Sequence, residues 1–509
     1  MPLADSPFVV SPLIKASLIL YTMGMRIFDS VHGLIPFEDN DAKALQEIID
    51  TPAFQRLRRI RQLGFADLVY PGATHTRFAH SVGVFKNARD MLNIVRQQSG
   101  GKYKKRQAQI TSIAALLHDV GHGPFSHSFE GAVKTIDKKF DENAGGDETP
   151  LHEKWSERIV REDEDVKKAL EAIDEKIGGE IAGFLQDINQ KKRSDLYTEI
   201  VSSQFDADRM DYLQRDARAT GIDIGNFDRD WLMDCLRIDD GKDKPNWVVG
   251  SKGRQAVEAY LLARVQLQES IYFHPTNCGF NIIFQKLLEE LNDTLRVKEN
   301  GDSLPSGVRD NPVATYLKER ARVGKTGWAA DKEVKISTYL AMDDAAAWTL
   351  VNTLATREKE DELHRLARRL TSRRSLPFVK LEPLDPKHPL KEMKNKLAEF
   401  RGEIKNQFSL DEWQYDAKPL NIYYSGGKEH PDVLIRTPDE KESRPLGESS
   451  SLIRGLESRA FFYYCRVYFD AKEDRDRLAS ELRQVASDFR AEKSGRVKGE
   501  HRPDVSLSG

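Results

Sequence analysis

The chain has 509 residues, a formal net charge of −3, 39% hydrophobic and 31% charged residues. That length supports a large core and two or three domains, and the near-neutral balance excludes a global drive toward nucleic acid or an anionic membrane. Three widely spaced cysteines, Cys235, Cys278 and Cys465, fit no CxxC pattern; they argue against a disulfide scaffold or a thiolate zinc site and for a reducing cytoplasm.

Residues 8–25 lean apolar but contain Pro12 and Lys15. They are too short and interrupted for a membrane span and lack the basic n-region of a signal peptide. Residues 1–25 are therefore expected to be an N-terminal extension, either a floppy tail or a stretch preceding a natural start at Met23 or Met25. Residues 26–38 read as a short extended entry turning at Gly33. Residues 41–64 read as two helices, the second opened by Thr51 as cap and Pro52 at the first position. Phe54, Leu57, Ile60 and Leu63 would share its apolar face. Further helices are expected at 78–98, 107–119, 156–185, 194–217 and 254–295, the last broken near Pro275.

After residue 300 the texture changes. Residues 300–325, rich in Gly, Pro, Asp and Arg, read as a loop or insertion. Helices are expected at 337–355 and 358–369, short strands at 378–381, 420–424, 433–437 and 466–469, and a last helix at 472–492. The expected fold is mainly α: a helical bundle carrying the chemistry over 26–300, a smaller mixed α/β region over 301–492, and a disordered tail over 493–509.

Chemistry concentrates in four stretches: residues 74–81 with His80, 116–123 with His118-Asp119, 151–153 with His152, and 205–212 with Asp208. A lone His, an adjacent His-Asp pair and a distant Asp make an imidazole–carboxylate set suited to a first-row transition metal, or to Mg²⁺ where oxygen ligands dominate. Ligands converging from several helices are how helical bundles build such sites. Seven of the twelve histidines precede residue 153: His32, His75, His80, His118, His122, His127 and His152. His122 and His127 lie in a tight glycine-containing loop directly after the pair, and Glu130, three residues on, can orient an imidazole. Histidine there can protonate a leaving oxygen or bind phosphate.

These residues, together with residues 50–58, Gln62-Leu63-Gly64, residues 70–81, residues 118–127 and residues 206–216, resemble the HD-domain superfamily. Within it the chain is most similar to the deoxynucleoside-triphosphate triphosphohydrolase branch, which includes the vertebrate sterile-alpha-motif HD enzyme and bacterial dGTPase-like proteins. The likeness covers about residues 26–290. It implies His80, His118, Asp119 and Asp208 as metal ligands (Mn, Mg, Fe, Co or Ni), and His122, His127, Glu130 and His152 around the reacting phosphate. It implies Arg77, Arg209 and Arg264 at the phosphates, Gln62 and Leu63 near the sugar, and Tyr212, Asp216 and Tyr272 along the nucleoside pocket. Asp50, Gln55 and Arg58 match an allosteric nucleotide site of some relatives; an exposed helix face with charged pairs explains them equally well. The family carries Asp where this chain has Glu130, and commonly Lys where it has Arg209.

The implied reaction is hydrolysis of a dNTP to a deoxynucleoside and inorganic triphosphate in the cytoplasm, by a homo-oligomer under possible nucleotide control. Two other readings stay open. One is an HD phosphodiesterase or nucleotidase acting on a monophosphate, a cyclic nucleotide or an alarmone. The other is a nucleic-acid-binding or regulatory protein using the basic runs at 56–61 and 102–106, each of which reads more simply as plain surface. No membrane association is expected.

Overall fold

The computed structural model describes residues 25–37, 42–141, 149–190, 195–239, 245–297, 303–384, 390–419, 433–436, 443–457 and 463–493. The readings made for residues 1–24, for a strand at 420–424 and for the tail from 494 lie outside them. The fold is mainly α, with three small sheets among the described residues. No described helix is long and apolar enough to cross a membrane, and the three cysteines are buried and form no disulfide among the described residues.

The chain enters through an antiparallel hairpin, β1 (Arg26–Asp29) and β2 (Gly33–Pro36), turning at Gly33 with φ +67°. Thr51 then caps Pro52–Gln55 by accepting from the Phe54 amide at 3.3 Å. The expected second helix stops there. A single 3-10 turn, Arg56–Arg59, follows, and Arg61 then bridges to Thr76 in extended backbone. The longer helices of the body are α1 (Arg77–Gln98), α2 (Lys105–Leu117), α3 (His127–Phe140), α4 (Leu151–Glu162), α5 (Ala207–Thr220), α6 (Arg254–Leu267), α7 (Pro275–Arg296) and α8 (Asp344–Thr356). Residues 194–217 are not one helix. Leu196–Val201 ends before a bend, and Asp206 restarts the chain as the cap of α5, accepting from the Arg209 amide at 2.7 Å.

Residues 300–325 are not an insertion over their described part. Asn311 caps the helix Pro312–Arg322, which buries Val313, Tyr316 and Leu317 in the same core as α7. The apolar core that begins at Ile35 runs through this segment and α8 to Leu376 and also takes in Val433, Ile435, Leu446, Ile453 and Tyr468. A second, smaller core lies under β5 (Phe378–Lys380), β6 (Tyr415–Pro419) and β9 (Tyr463–Tyr468), which pair antiparallel in the order β5-β9-β6. The helices Leu390–Phe408 and Lys472–Lys493 close it with Phe400, Ile404, Leu482 and Phe489. A third sheet was not anticipated. β3 (Leu236–Asp239) and β4 (Asn246–Gly250) pair antiparallel, and β4 takes β7 (Leu434–Arg436) in parallel, so a distant part of the chain docks on the helical body.

Candidate active site

α1, α2 and α5 bring the proposed ligands to one point. His80 lies one turn into α1, His118-Asp119 follow the end of α2, and Asp208 sits in the first turn of α5. His80 Nε2 is 3.0 Å from Asp208 Oδ1 and 3.6 Å from Asp119 Oδ2. His118 Nε2 is 3.3 Å from Asp119 Oδ1 and 3.9 Å from Asp208 Oδ1. Ligand atoms of His80, His118 and Asp119 all fall within 4.8 Å of one another. His118 Nδ1 is engaged by the Ala115 carbonyl at 2.9 Å, whereas its buried Nε2 has no hydrogen-bond partner among the described residues. An orphaned imidazole nitrogen facing two carboxylates fits a divalent cation, since burying it unpaired costs free energy that a metal bond removes.

Charge around this point is answered on every side. Burial opposes ionisation of Asp119, but the Arg77 guanidinium in contact with it holds its carboxyl well below the usual range. Burial would neutralise His80, yet Asp208 and Asp211 push it up to about 10. Asp211, which sequence reasoning did not single out, accepts from His80 Nδ1 at 2.7 Å, from His32 at 2.6 Å and from Arg215 at 2.8 Å. Arg215 in turn reaches Asp29 at 2.8 Å. The entry hairpin thus buttresses a ligand through one carboxylate. A side-chain carbon on Gly83 would collide with Asp211 and Arg215, so glycine there admits the pair against α1. The signal was present: Asp208 and Asp211 stand three apart and Asp211 and Arg215 four apart, on one helix face.

The loop from Asp119 carries the second cluster. His122 stacks on His152 with centroids 3.8 Å apart, and its Nε2 is 3.3 Å from Asp119. Glu130 on α3 bridges His127 Nδ1 at 2.8 Å and His152 Nδ1 at 2.6 Å. Burial resists a charge on Glu130, but those two imidazoles hold its carboxyl well below its ordinary value. His152, despite burial, is pushed up to about 9 chiefly by Glu130. His122 is driven well down by burial and by Arg77 and His152.

One cavity of about 1270 Å³ is lined by Gln62, Leu63, Arg77, His127, Tyr212, Asp216 and Tyr272. Tyr272 donates to Asp216 Oδ2 at 2.7 Å, and His75 meets Asp216 Oδ1 at 2.7 Å. Trp413, Tyr415 and Tyr464, from the segments that carry β6 and β9, line the same cavity. The three arginines differ. Arg77 is shared between Asp119 and Ser126; Arg209 is paired with Asp206; and the buried Nε and Nη1 of Arg264 have no partner among the described residues. Asp50 is exposed away from this cluster, while Arg58 donates to Gln55 at 2.8 Å and lies 3.5 Å over the Phe78 ring. The basic run at 56–61 is divided, with Arg58 and Arg59 exposed and the others turned inward. Arg56 is fully buried, Arg59 pairs with Asp343 and Arg61 with Asp67. Arg106 of the other run pairs with Asp174 and Glu180.

Residues 77–216 match the family model described as the HD domain, a stretch that opens at Arg77 and encloses His80, His118, Asp119 and Asp208. The chain is 35% identical over 260 residues to the uncharacterized protein YwfO of Bacillus subtilis, covering 51% of this chain and 54% of that one. It is 32% identical over 348 residues to the deoxynucleoside triphosphate triphosphohydrolase SAMHD1 of Mus musculus, covering 64% of this chain and 48% of that one. The match thus spans about half the length of these relatives. A crystal structure of a phosphohydrolase from Bacteroides thetaiotaomicron shares the fold with a TM-score of 0.64 at 22% identity, over 87% of this chain and 99% of that one. The His80, His118-Asp119 and Asp208 set is assembled inside the matched stretch, so residues 77–216 carry an HD domain.

Proposed function

We propose that the protein is a metal-dependent phosphohydrolase that converts dNTPs to deoxynucleoside and inorganic triphosphate. The observation that carries this reading is the single cavity. It is lined by Arg77 and His127, which touch Asp119 and Glu130, and also by Tyr212, Asp216 and Tyr272. Phosphate-binding and sugar-binding chemistry therefore share one space beside the ligand corner. The similarity to mouse SAMHD1 supports the substrate class.

A divalent ion held by His80, His118, Asp119 and Asp208 would supply Lewis-acid activation for attack on phosphorus. The chain's own residues do the rest. Arg77 and Arg264, whose buried Nε and Nη1 have no partner among the described residues, offset triphosphate charge through their guanidinium forks. Glu130 fixes the His127 ring through Nδ1, which leaves Nε2 to give a proton to the departing 5′-oxygen. Water adds to the α-phosphorus, the P–O5′ bond breaks, and triphosphate and deoxynucleoside leave. Tyr272, fixed by Asp216, crowds a 2′-hydroxyl and favours deoxyribose.

Incubation of protein reconstituted with Mn²⁺, Mg²⁺ or Co²⁺ with the four dNTPs, singly and mixed, tests this. Triphosphate and deoxynucleoside identified by mass are expected. Turnover only in the mixture would reveal a nucleotide effector, for which Asp50, Gln55 and Arg58 are the candidate site. Orthophosphate or a linear nucleotide from monophosphate, cyclic or alarmone substrates, without triphosphate, would replace the reading with a phosphodiesterase or nucleotidase.

A further inference from the structure

Two adjacent aspartates begin α8, and only the first acts on its own helix. Asp343 caps α8 by accepting from the Ala346 amide at 2.9 Å, and it pairs with Arg59. Asp344 turns away. Its Oδ1 accepts the Phe125 amide at 2.7 Å and its Oδ2 accepts the Arg61 amide at 2.9 Å, at 6% exposure. One carboxylate thus joins two backbones: the turn that delivers His127 and the extended segment that delivers Gln62.

The turn needs holding. Phe125 and Ser126 both stand at φ +54°, a left-handed conformation that costs non-glycine residues roughly 1–3 kcal/mol each. Ser126 Oγ donates to the Arg61 carbonyl at 2.9 Å and accepts from Arg77 Nε at 2.8 Å. The start of the same loop is held from the same side of the molecule. Tyr339 donates to the Gly121 carbonyl at 2.6 Å. Buried Arg56 donates to the His122 carbonyl at 2.7 Å and to the Met342 carbonyl at 2.6 Å. Burial pushes the Asp344 carboxyl up to about 7 against two backbone donors and Arg61 that favour its charge. A carboxylate there is an expensive choice for stability alone, because Asp343 already provides the cap.

We propose that Asp344 is a positioning residue, seconded by Tyr339 and Arg56, that sets the strained Phe125-Ser126 turn and so aims His127 across the cavity from Gln62. The inference rests on the phosphohydrolase reading for its kinetic consequence, and on hydrogen bonding alone for its structural one.

The test compares Asp344→Asn with Asp343→Ala in the full metal-reconstituted chain. Asparagine keeps the volume but turns one acceptor into a donor facing a backbone N–H. Asp344→Asn should lower kcat roughly tenfold to a hundredfold, with KM, bound metal per chain and Tm near wild type. Amide exchange of the peptide over residues 120–127 should quicken in that variant. Asp343→Ala should lower Tm, keep kcat within about twofold and leave that peptide's exchange unchanged. An Asp344→Asn protein with wild-type kcat and wild-type exchange overturns the proposal, as does loss of kcat in both variants in proportion to Tm. If wild type turns over none of the nucleotides, the functional reading fails, and the exchange comparison alone decides the clamp.

Discussion

His80 and Asp119 lie 1% and 4% exposed, each answered by opposite charge, whereas His127, a few residues down the same loop, leaves 71% of its side chain open to the cavity. The ligand corner is built from long helices and braced from behind by Asp211, Arg215, Asp29 and His32. The His127 ring meets the rings of His122 and His152, is hydrogen-bonded at Nδ1 by Glu130 and follows a strained turn. A corner fixed in advance suits an ion that must not move. A ring fixed at one nitrogen and free at the other suits a group that must meet a substrate. On the proposed reading this difference separates the group that binds from the group that reacts, and substitutions can pull the two apart.

Asp208→Ala should have the largest effect, removing both bound metal and turnover, because the corner would lose its α5 carboxylate and leave His80 and His118 facing Asp119 alone. Metal analysis on the purified variant checks it; stoichiometric metal in Asp208→Ala would remove Asp208 from the ligand set. His127→Ala should keep the metal and lower kcat by roughly 10²–10⁴, the range for loss of a general acid. Near wild-type turnover in that variant would sink the assignment of proton donor. The contrast between metal content in the two proteins is the sharpest form of the comparison.

The convergence of His80, His118 and Asp119 was legible because polar residues punctuate apolar helices there, and His80 and Asp119 are buried. The helical body was legible from its long helix-compatible runs; α7 presents one apolar face, whereas α1 and α2 are buried on most sides. The segment behind the loop was not. Composition made 300–325 look like an insertion, although Asn311-Pro312 is a cap and first-turn pair of the kind read correctly at Thr51-Pro52. Arg56 sat in a basic run that resembles a wet surface, and nothing local tells a guanidinium that it will be buried against three carbonyls. Likewise, β4 and β7 pair across nearly two hundred residues, a contact set by tertiary packing rather than by either short segment.

Asp211→Asn probes the brace without touching a ligand. Losing one anion behind His80 should weaken metal affinity roughly 10–100-fold, the usual effect of a partner that orients a metal-bound imidazole. Competition with a chelator measures it; an unchanged affinity would mean that the α1–α5 packing, not Asp211, fixes the ring. His32→Ala should act in the same direction and more weakly, since Arg215 and His80 still hold Asp211.

The smallest effect concerns stability and turns on sign. In the folded protein Asp344 is pushed up to about 7 by burial, against about 3.9 in an unfolded chain. A raised carboxyl means that the native state binds the proton more tightly. Its contribution is full below the unfolded value and is lost as pH rises toward the folded value, at up to about 1.4 kcal/mol per pH unit. Asp344→Asn has nothing to titrate, so its denaturation curve should flatten where wild type declines. The stability difference between variant and wild type should therefore grow in the variant's favour from pH 5 to pH 7, measured by chemical denaturation. A difference constant with pH would place the folded carboxyl at its ordinary value. With a lower kcat, the flatter curve would mark Asp344 as a residue that holds a strained turn at a cost to stability, the trade expected where geometry serves chemistry.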